Sequence, residues 1–229
     1  MLSSVYTNKG FWISRYEIGD ETSTKNNYEV RTINSGITER TAVSKPNQVP
    51  YSYVTCSQAQ SLAATMSTDK TDKTSKTSSL LFGIQWDLVC KFLQERGGLS
   101  IEEIKGGDNV GSTNWGNYNN SSIMLNRGKY NASPDSLDSQ WLDVTPGIKN
   151  GRMLLTTGAS ENAKKMNIYD FAGNEWEWTL EHATSNASRP CSDVGGTYYG
   201  DGYEYPASVR DNDANTDIYV NLGFRSTIY

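Results

Sequence analysis

Residues 10–18 (GFWISRYEI) alternate aromatic or aliphatic with polar side chains, the period of a strand with one buried face. A polar stretch follows from Gly19 to Asn47 and predicts loops with short strands. Pro46 and Pro50 bracket its end and keep the backbone extended. Helical spacing then takes over in SQAQSLAATM, where Ala59, Leu62, Ala63 and Met66 share one face and Thr55 or Ser57 serves as cap. The run from Ser67 to Ser79 (STDKTDKTSKTSS) is polar and low in complexity, and is expected to be an exposed loop. A second helix is predicted over FGIQWDLVCKFLQERGG, with Phe82, Trp86, Val89, Cys90 and Phe92–Leu93 on the helical period and Gly97-Gly98 as its stop. Residues 106–150 are rich in Gly, Asn and Ser and read as irregular loops pinned by Trp115, Tyr118, Tyr130 and Trp141. Beyond Gly151 the pattern becomes β-like: MLLTTGAS, NIYDFAG, NEWEWTLE, GGTYYG and NLGFRSTIY are short segments divided by Gly, Asn or Asp turns. Two helices followed by short, mostly antiparallel strands and long loops predict an α+β fold. No repeat or linker interrupts it, so one domain over 1–229 is expected.

Composition narrows the function classes. Six Trp, fourteen Tyr and five Phe in 229 residues rule out a disordered chain. No apolar run is long enough to span a membrane, and the first residues contain no apolar core of a cleavable signal. Domain-like sequence begins almost at once, as in a piece of a longer protein. The formal charge of -5 disfavours nucleic acid and anionic membranes as partners. Cys56, Cys90 and Cys191 are far apart, and His182 is the only histidine, so neither a Cys/His zinc site nor a conventional triad is expected. Cys90, inside WDLVCKFL, reads as a core thiol; the spacing neither requires nor forbids a Cys56–Cys191 bridge. Asn-X-Ser/Thr triplets at Asn119, Asn120, Asn131 and Asn186 mark surface loops at most.

The most specific stretch is NIYDFAGNEWEWTLE (167–181). Phe171-Ala-Gly-Asn reads as a turn between strands, after which Trp176 and Trp178 share one face and Glu175, Glu177 and Thr179 the other. This stretch resembles the G-N-x-W-E-W signature of the formylglycine-generating enzyme (sulfatase-modifying factor) family, a branch of the C-type lectin fold. The early GFWISRYEIG, the helix through IQWDL, the GGTY turn at 195–198, Arg210 and the late GFR (223–225) extend the resemblance over nearly the whole chain. The fold it implies is a C-type lectin fold of the formylglycine-generating-enzyme type.

The resemblance also implies what is missing. The family's oxidases carry a pair of cysteines just after their Gly-Gly-Ser-Trp turn, where thiolates bind copper(I) and exchange with a substrate cysteine. Those positions fall here on Gly200 and Tyr205, so no catalytic residues are expected and the chain is read as a non-enzyme. The family's calcium site would map to Asp170, Gly173, Glu175 and Glu177, with hydrogen bonding to the turn's amides as the alternative. No cofactor is required by this reading, and calcium is the one left open. Val194 stands where the family usually has arginine before the Gly-Gly turn, so the turn is expected to be held differently.

Residues 193–222 carry six carboxylates and one arginine, a balance of -5 that equals the charge of the whole chain. Five tyrosines lie among Gly, Ser, Asn and Asp there, the chemistry of antibody paratopes. The segment further resembles the mutable cassette of diversity-generating retroelement variable proteins. Mutagenesis at adenines in such cassettes turns Asn-type codons into many residues but never Lys, Glu, Gln, Met or Trp. Those types make up 40 of the 199 residues outside 193–222, yet only Glu204 lies inside. Gly195, Gly196, Pro206-Ala207-Ser208, Arg210 and Leu222-Gly-Phe-Arg read as anchors between the diverse positions.

A ligand-binding or adhesion (receptor-binding) module is therefore expected, with 193–221 as its variable segment. The side chains expected to touch ligand are Tyr198, Tyr199, Asp201, Tyr203, Tyr205, Val209, Asp211, Asn212, Asp213, Asn215, Asp217 and Tyr219, with Trp176 and Trp178 beneath them and out of contact. A protein or basic partner fits this face better than an anionic glycan, and the resemblance implies a phage tail or bacterial surface. The alternatives are a copper oxidase with a displaced site, which needs Cys191 close to a second thiol, and a structural virion or cell-surface domain whose acidic loops bind nothing.

Overall fold

The computed structural model describes residues 2–21, 42–66, 77–107, 109–136, 140–184 and 186–229. Most of the polar stretch 19–47 and of the run 67–79 lies outside them. Among the described residues the fold is α+β: four helices and many short strands, most of them paired antiparallel. No described helix is long and apolar enough to cross a membrane.

The helix Cys56–Ala64 is capped by Thr55, whose hydroxyl accepts from the Gln58 amide while the Gln58 side chain accepts from the Thr55 amide. Ala59, Leu62 and Ala63 are its buried stripe. The helix Gly83–Gly97 ends on Gly98 in the left-handed conformation and buries Trp86, Val89, Cys90 and Leu93. Phe92, expected on that stripe, faces outward at 41 % exposure, because the buried stripe is narrower than the apolar pattern. Two helices were not foreseen: Leu2–Asn8 and Ile101–Lys105. The second is started by a reciprocal Ser100–Glu103 cap that its short apolar pattern did not reveal.

The central sheet has the long strand Trp176–His182 at its middle. It pairs parallel with Leu222–Phe224 on one side and antiparallel with Cys191–Val194 on the other, which in turn pairs with Arg210–Asp213. GGTYYG is not a strand: Gly195 and Gly196 take positive φ and turn the chain away just after Val194. The last strand continues past Arg225 into a second sheet, where Ser226–Ile228 lies between Trp12–Ile13 and Ser78–Leu80. Ser78 and Ser79 are thus buried in a sheet rather than exposed in a loop.

The expected strand 10–18 keeps only Trp12–Ile13. Beyond it the chain bows around the Arg225 guanidinium, which donates to the Ser14 carbonyl, and rejoins the last strand where the Ile18 amide donates to Phe224. Glu17, read as a polar-face residue, is consequently fully buried, as are Glu175, Glu177 and Thr179. Both faces of the central strand are covered. Three apolar clusters result: one between the helix Gly83–Gly97 and Phe171, where Trp86 stacks on Phe171 at 3.9 Å, one around Trp176, Trp178 and the helix Cys56–Ala64, and one around Ile123, Leu125 and Leu155.

Arg225 ties these parts together. Its guanidinium, 1 % exposed, pairs with Glu177 at 2.9 Å and also donates to the carbonyls of Ser14, Tyr169 and Asp170. Glu177→Gln leaves that guanidinium buried without its counter-charge. It is expected to lower unfolding free energy by about 3–5 kcal/mol, read from urea denaturation. A loss below about 1 kcal/mol would show that the pair is not central to the fold.

Candidate functional site

Val194 is buried against the helix Gly83–Gly97, so no side chain in its place holds the turn that follows. Instead the Gly195 carbonyl accepts from the Tyr118 hydroxyl at 3.0 Å and from the Gly173 amide at 2.8 Å. Positive φ at Gly195 and Gly196, and a Cβ at Gly196 that would come within 2.2 Å of the Tyr205 carbonyl, make glycine necessary there. After the turn Thr197 and Tyr198 dip into the interior, both bonded to the Asn174 carbonyl. Tyr199 comes back out, and the chain from Gly200 to Tyr205 folds over the segment 112–120. The Asn119 amide donates to Gly200, the Ser112 amide to Gly202, and the Gly202 amide to the Asn120 side chain.

A concavity of about 930 Å³ lies between this loop and the strand Trp176–His182. From the variable segment it takes Tyr199, Asp201, Tyr205, Asp211 and Tyr219, five of the twelve expected contact residues. Glu204 joins them from the same segment, and Tyr53, Asn119, Asp135 and Trp176 come from elsewhere. Trp176 is more than a support: it lines the concavity and meets the Tyr205 ring edge-on at 5.8 Å. The Tyr53 amide donates to the Tyr219 carbonyl, which seats that ring at the rim. Tyr53, Asn119 and Asp135 come from loops remote in sequence, and no local pattern marks them.

The remaining expected residues divide. Tyr203, Asn212, Asp213, Asn215 and Asp217 are exposed or half-buried outside the concavity, and Val209 packs against the core cluster of Trp178. Tyr198 is corrected outright: at 0 % exposure it cannot meet a ligand from the surface, and its hydroxyl finds no partner among the described residues. The expected anchors are held as anchors. The Trp86 indole donates to the Ala207 carbonyl, and Arg210 pairs with Glu181 and Asp87. Asn131, expected on a surface loop, is buried.

Carboxylates dominate the electrostatics. Asp135, Asp201, Glu204 and Asp211 line the concavity, and among the described residues no lysine, arginine or histidine does. Arg152 stands nearby, its guanidinium 4.0 Å from the Tyr199 ring centre and 3.6 Å from Asp135. Asp193, counted with the acidic surface from sequence, is buried on the sheet. Burial, then Asp213 and Asp211, push its carboxyl up to about 8.

Two of the carboxylates matched to a calcium site are engaged within the protein. Glu177 spends both oxygens on Arg225, and Asp170 accepts the Gly158 amide at 2.7 Å. Glu175 is buried with both carboxylate oxygens unpartnered, and burial followed by Glu17 and Glu177 holds it well above the usual carboxylate range. Gly173 is pressed against Asn117, where a Cβ would lie 2.3 Å from the carbonyl. Among the described residues no group of three His, Cys, Asp or Glu is placed to hold a metal ion. Of the matched set the guanidinium of Arg225 takes Glu177; the carbonyls it meets are those of Ser14, Tyr169 and Asp170.

The fold and this turn define a formylglycine-generating-enzyme-type C-type lectin fold. The model of the sulfatase-modifying factor enzyme 1-like domain matches residues 3–228, and the chain belongs to that family. Similar solved structures include Treponema denticola variable protein 1, at 15% identity over 78% of this chain and 70% of that one, with a TM-score of 0.46. CarF matches at 12% identity over 95% of this chain and 85% of its own, and PvdO from Pseudomonas aeruginosa at 13% over 95% and 80%, both with a TM-score of 0.47. No curated protein matches the sequence.

The buried Asp193 gives a pH signature. Its folded value of about 8 lies above an unfolded value of about 3.9, so its stability contribution is whole below about pH 4 and lost as pH rises through 8. Asp193→Asn is expected to match the parent near pH 4 and to exceed it by on the order of a few kcal/mol near pH 9. Equal denaturation midpoints at both pH values would exclude a buried neutral carboxyl.

Proposed function

We propose that this chain is a non-catalytic ligand-binding or adhesion module, one C-type-lectin-fold domain over 1–229 that displays 193–221 as a diversified face. The observation that carries this reading is the make-up of the concavity. Tyrosine and tryptophan rings line it beside four carboxylates and, among the described residues, no cation, on a frame fixed by a buried ion pair and backbone hydrogen bonds. Tyr205 and Tyr219 remain 38% and 42% exposed, free to offer broad amphipathic contact at low entropic cost. Such a surface suits a protein partner presenting lysine or arginine, held by carboxylates and by cation–π contact, and repels anionic glycans and nucleic acid. A phage tail or bacterial surface is the setting that the resemblance to retroelement variable proteins implies.

The oxidase positions support the non-enzymatic reading. A Cβ at Gly200 would lie 2.4 Å from the Tyr205 ring, so a cysteine there has no room unless the ring moves. The test is retention on immobilised proteins graded from acidic to basic. Basic proteins should be retained, and Tyr205→Ala or joint amide replacement of Asp201, Glu204 and Asp211 should weaken retention about tenfold or more with an unchanged melting temperature. Retention indifferent to both changes would sink the assignment. Diversification itself predicts a neighbouring reverse transcriptase gene and a near-copy of the 3′ coding end that differs mainly at adenines.

One observation favours a second reading, the displaced copper oxidase. Cys56 and Cys191 pack on the same apolar cluster, the Cys56 sulfur 3.8 Å from the Thr179 carbonyl of the strand that pairs with Cys191–Val194, and such a site would need a thiol pair. Burial pushes Cys56 up to about 12, however, which disfavours the thiolate that holds copper(I). Stoichiometric copper(I) binding is therefore expected to be absent. Tight binding that Cys191→Ser abolishes would put the oxidase first.

A further inference from the structure

We propose that Cys56 and Cys191 form a disulfide when the protein meets an oxidising thiol–disulfide buffer, clamping the helix Cys56–Ala64 to the sheet strand that leads into the binding face. The two residues are 135 positions apart in the sequence, and the fold alone brings them together. Cys56 opens its helix and points at the central strand, its sulfur 3.8 Å from the Thr179 carbonyl. Cys191 opens the neighbouring strand, its Cα opposite His182 of the same central strand. Both pack at the margin of the same apolar cluster, the Thr179 that Cys56 meets donates its hydroxyl to the carbonyl of Ser192 next to Cys191 at 2.9 Å, and both residues remain partly exposed. Cys90 is buried in a different cluster and cannot compete for either sulfur.

The chemistry balances with a low-molecular-weight disulfide, such as glutathione disulfide, as oxidant. One protein thiolate attacks it and releases one glutathione, forming a mixed disulfide. The second protein thiol, as thiolate, then displaces the other glutathione. The two protein sulfurs are oxidised, the reagent is reduced to two glutathiones, and these take up the two protons. The Cys191–Val194 strand pairs with Arg210–Asp213 and leads into the Gly-Gly turn, so the clamp braces both borders of the displayed loop. Closing so long a loop also restricts the unfolded chain.

The test treats the full chain with glutathione disulfide, quenches with acid, denatures, alkylates and measures intact mass and the peptide map. The expected product loses two hydrogens, takes up one alkyl group instead of three, and yields a peptide joining Cys56 to Cys191. Its melting temperature should rise by several degrees and fall back with dithiothreitol. Cys56→Ser and Cys191→Ser should each abolish the rise, while Cys90→Ser should keep it. Three alkylated cysteines, or a mixed disulfide with glutathione that never resolves, would overturn the proposal. The wild-type peptide map decides the matter even if a variant fails to fold.

Discussion

The structure hangs on a guanidinium in its interior. Arg225 sits where the last strand leaves the central sheet for the sheet of the termini, and its donors reach Ser14, Tyr169, Asp170 and Glu177 at once. A charge so buried is tolerable only when its partners are complete, and here a glutamate and three carbonyls complete them. The early chain bows around it, the turn before the tryptophans points its carbonyls at it, and the central strand supplies the counter-charge. One side chain thereby orients segments from both ends of the chain.

Around that pair the interior holds more carboxyl groups than cations. Glu17 accepts from the Asn174 side chain and the Glu175 amide, yet burial, Asp170 and Glu177 still raise it well above the usual range. Among the described residues Glu175 has no hydrogen-bond partner for its oxygens. Charging all of these groups together would be costly in so dry a place, which holds these carboxyls above their usual range.

A rigid frame is what lets a neighbouring loop vary. The backbone of 200–210 is fixed by Ser112, Asn119, Asn120, Trp86 and the Arg210 ion pairs; of the side chains that face the concavity, only Asp201 adds a bond to this set, accepting from the Asn119 side chain at 3.4 Å. Tyr199, Tyr205, Asp211 and Tyr219 can therefore change with little cost to folding. Tyr198 cannot, since its ring fills the interior beneath the loop.

Much of this was legible in the order of residues. Helical spacing located Cys56–Ala64 and Gly83–Gly97, and the GNEWEW stretch located the central strand, because both signals are local in sequence. What lay outside the sequence's reach depended on remote partners. Alternation put Glu17 at a polar position and Glu175 and Glu177 on the face opposite the tryptophans, and only the covering of both sides of the strand made them interior. Tyr198 and Tyr199 look alike in the chain, but the positive φ of the glycines before them sends one inward and the other out. Tyr53, Asn119, Asp135 and Trp176 reach the concavity, and Cys56 reaches Cys191, through folding alone. The sequence determined the elements and the chemistry they carry; tertiary packing decided which side chains face water, since that turns on which distant segments cover each surface.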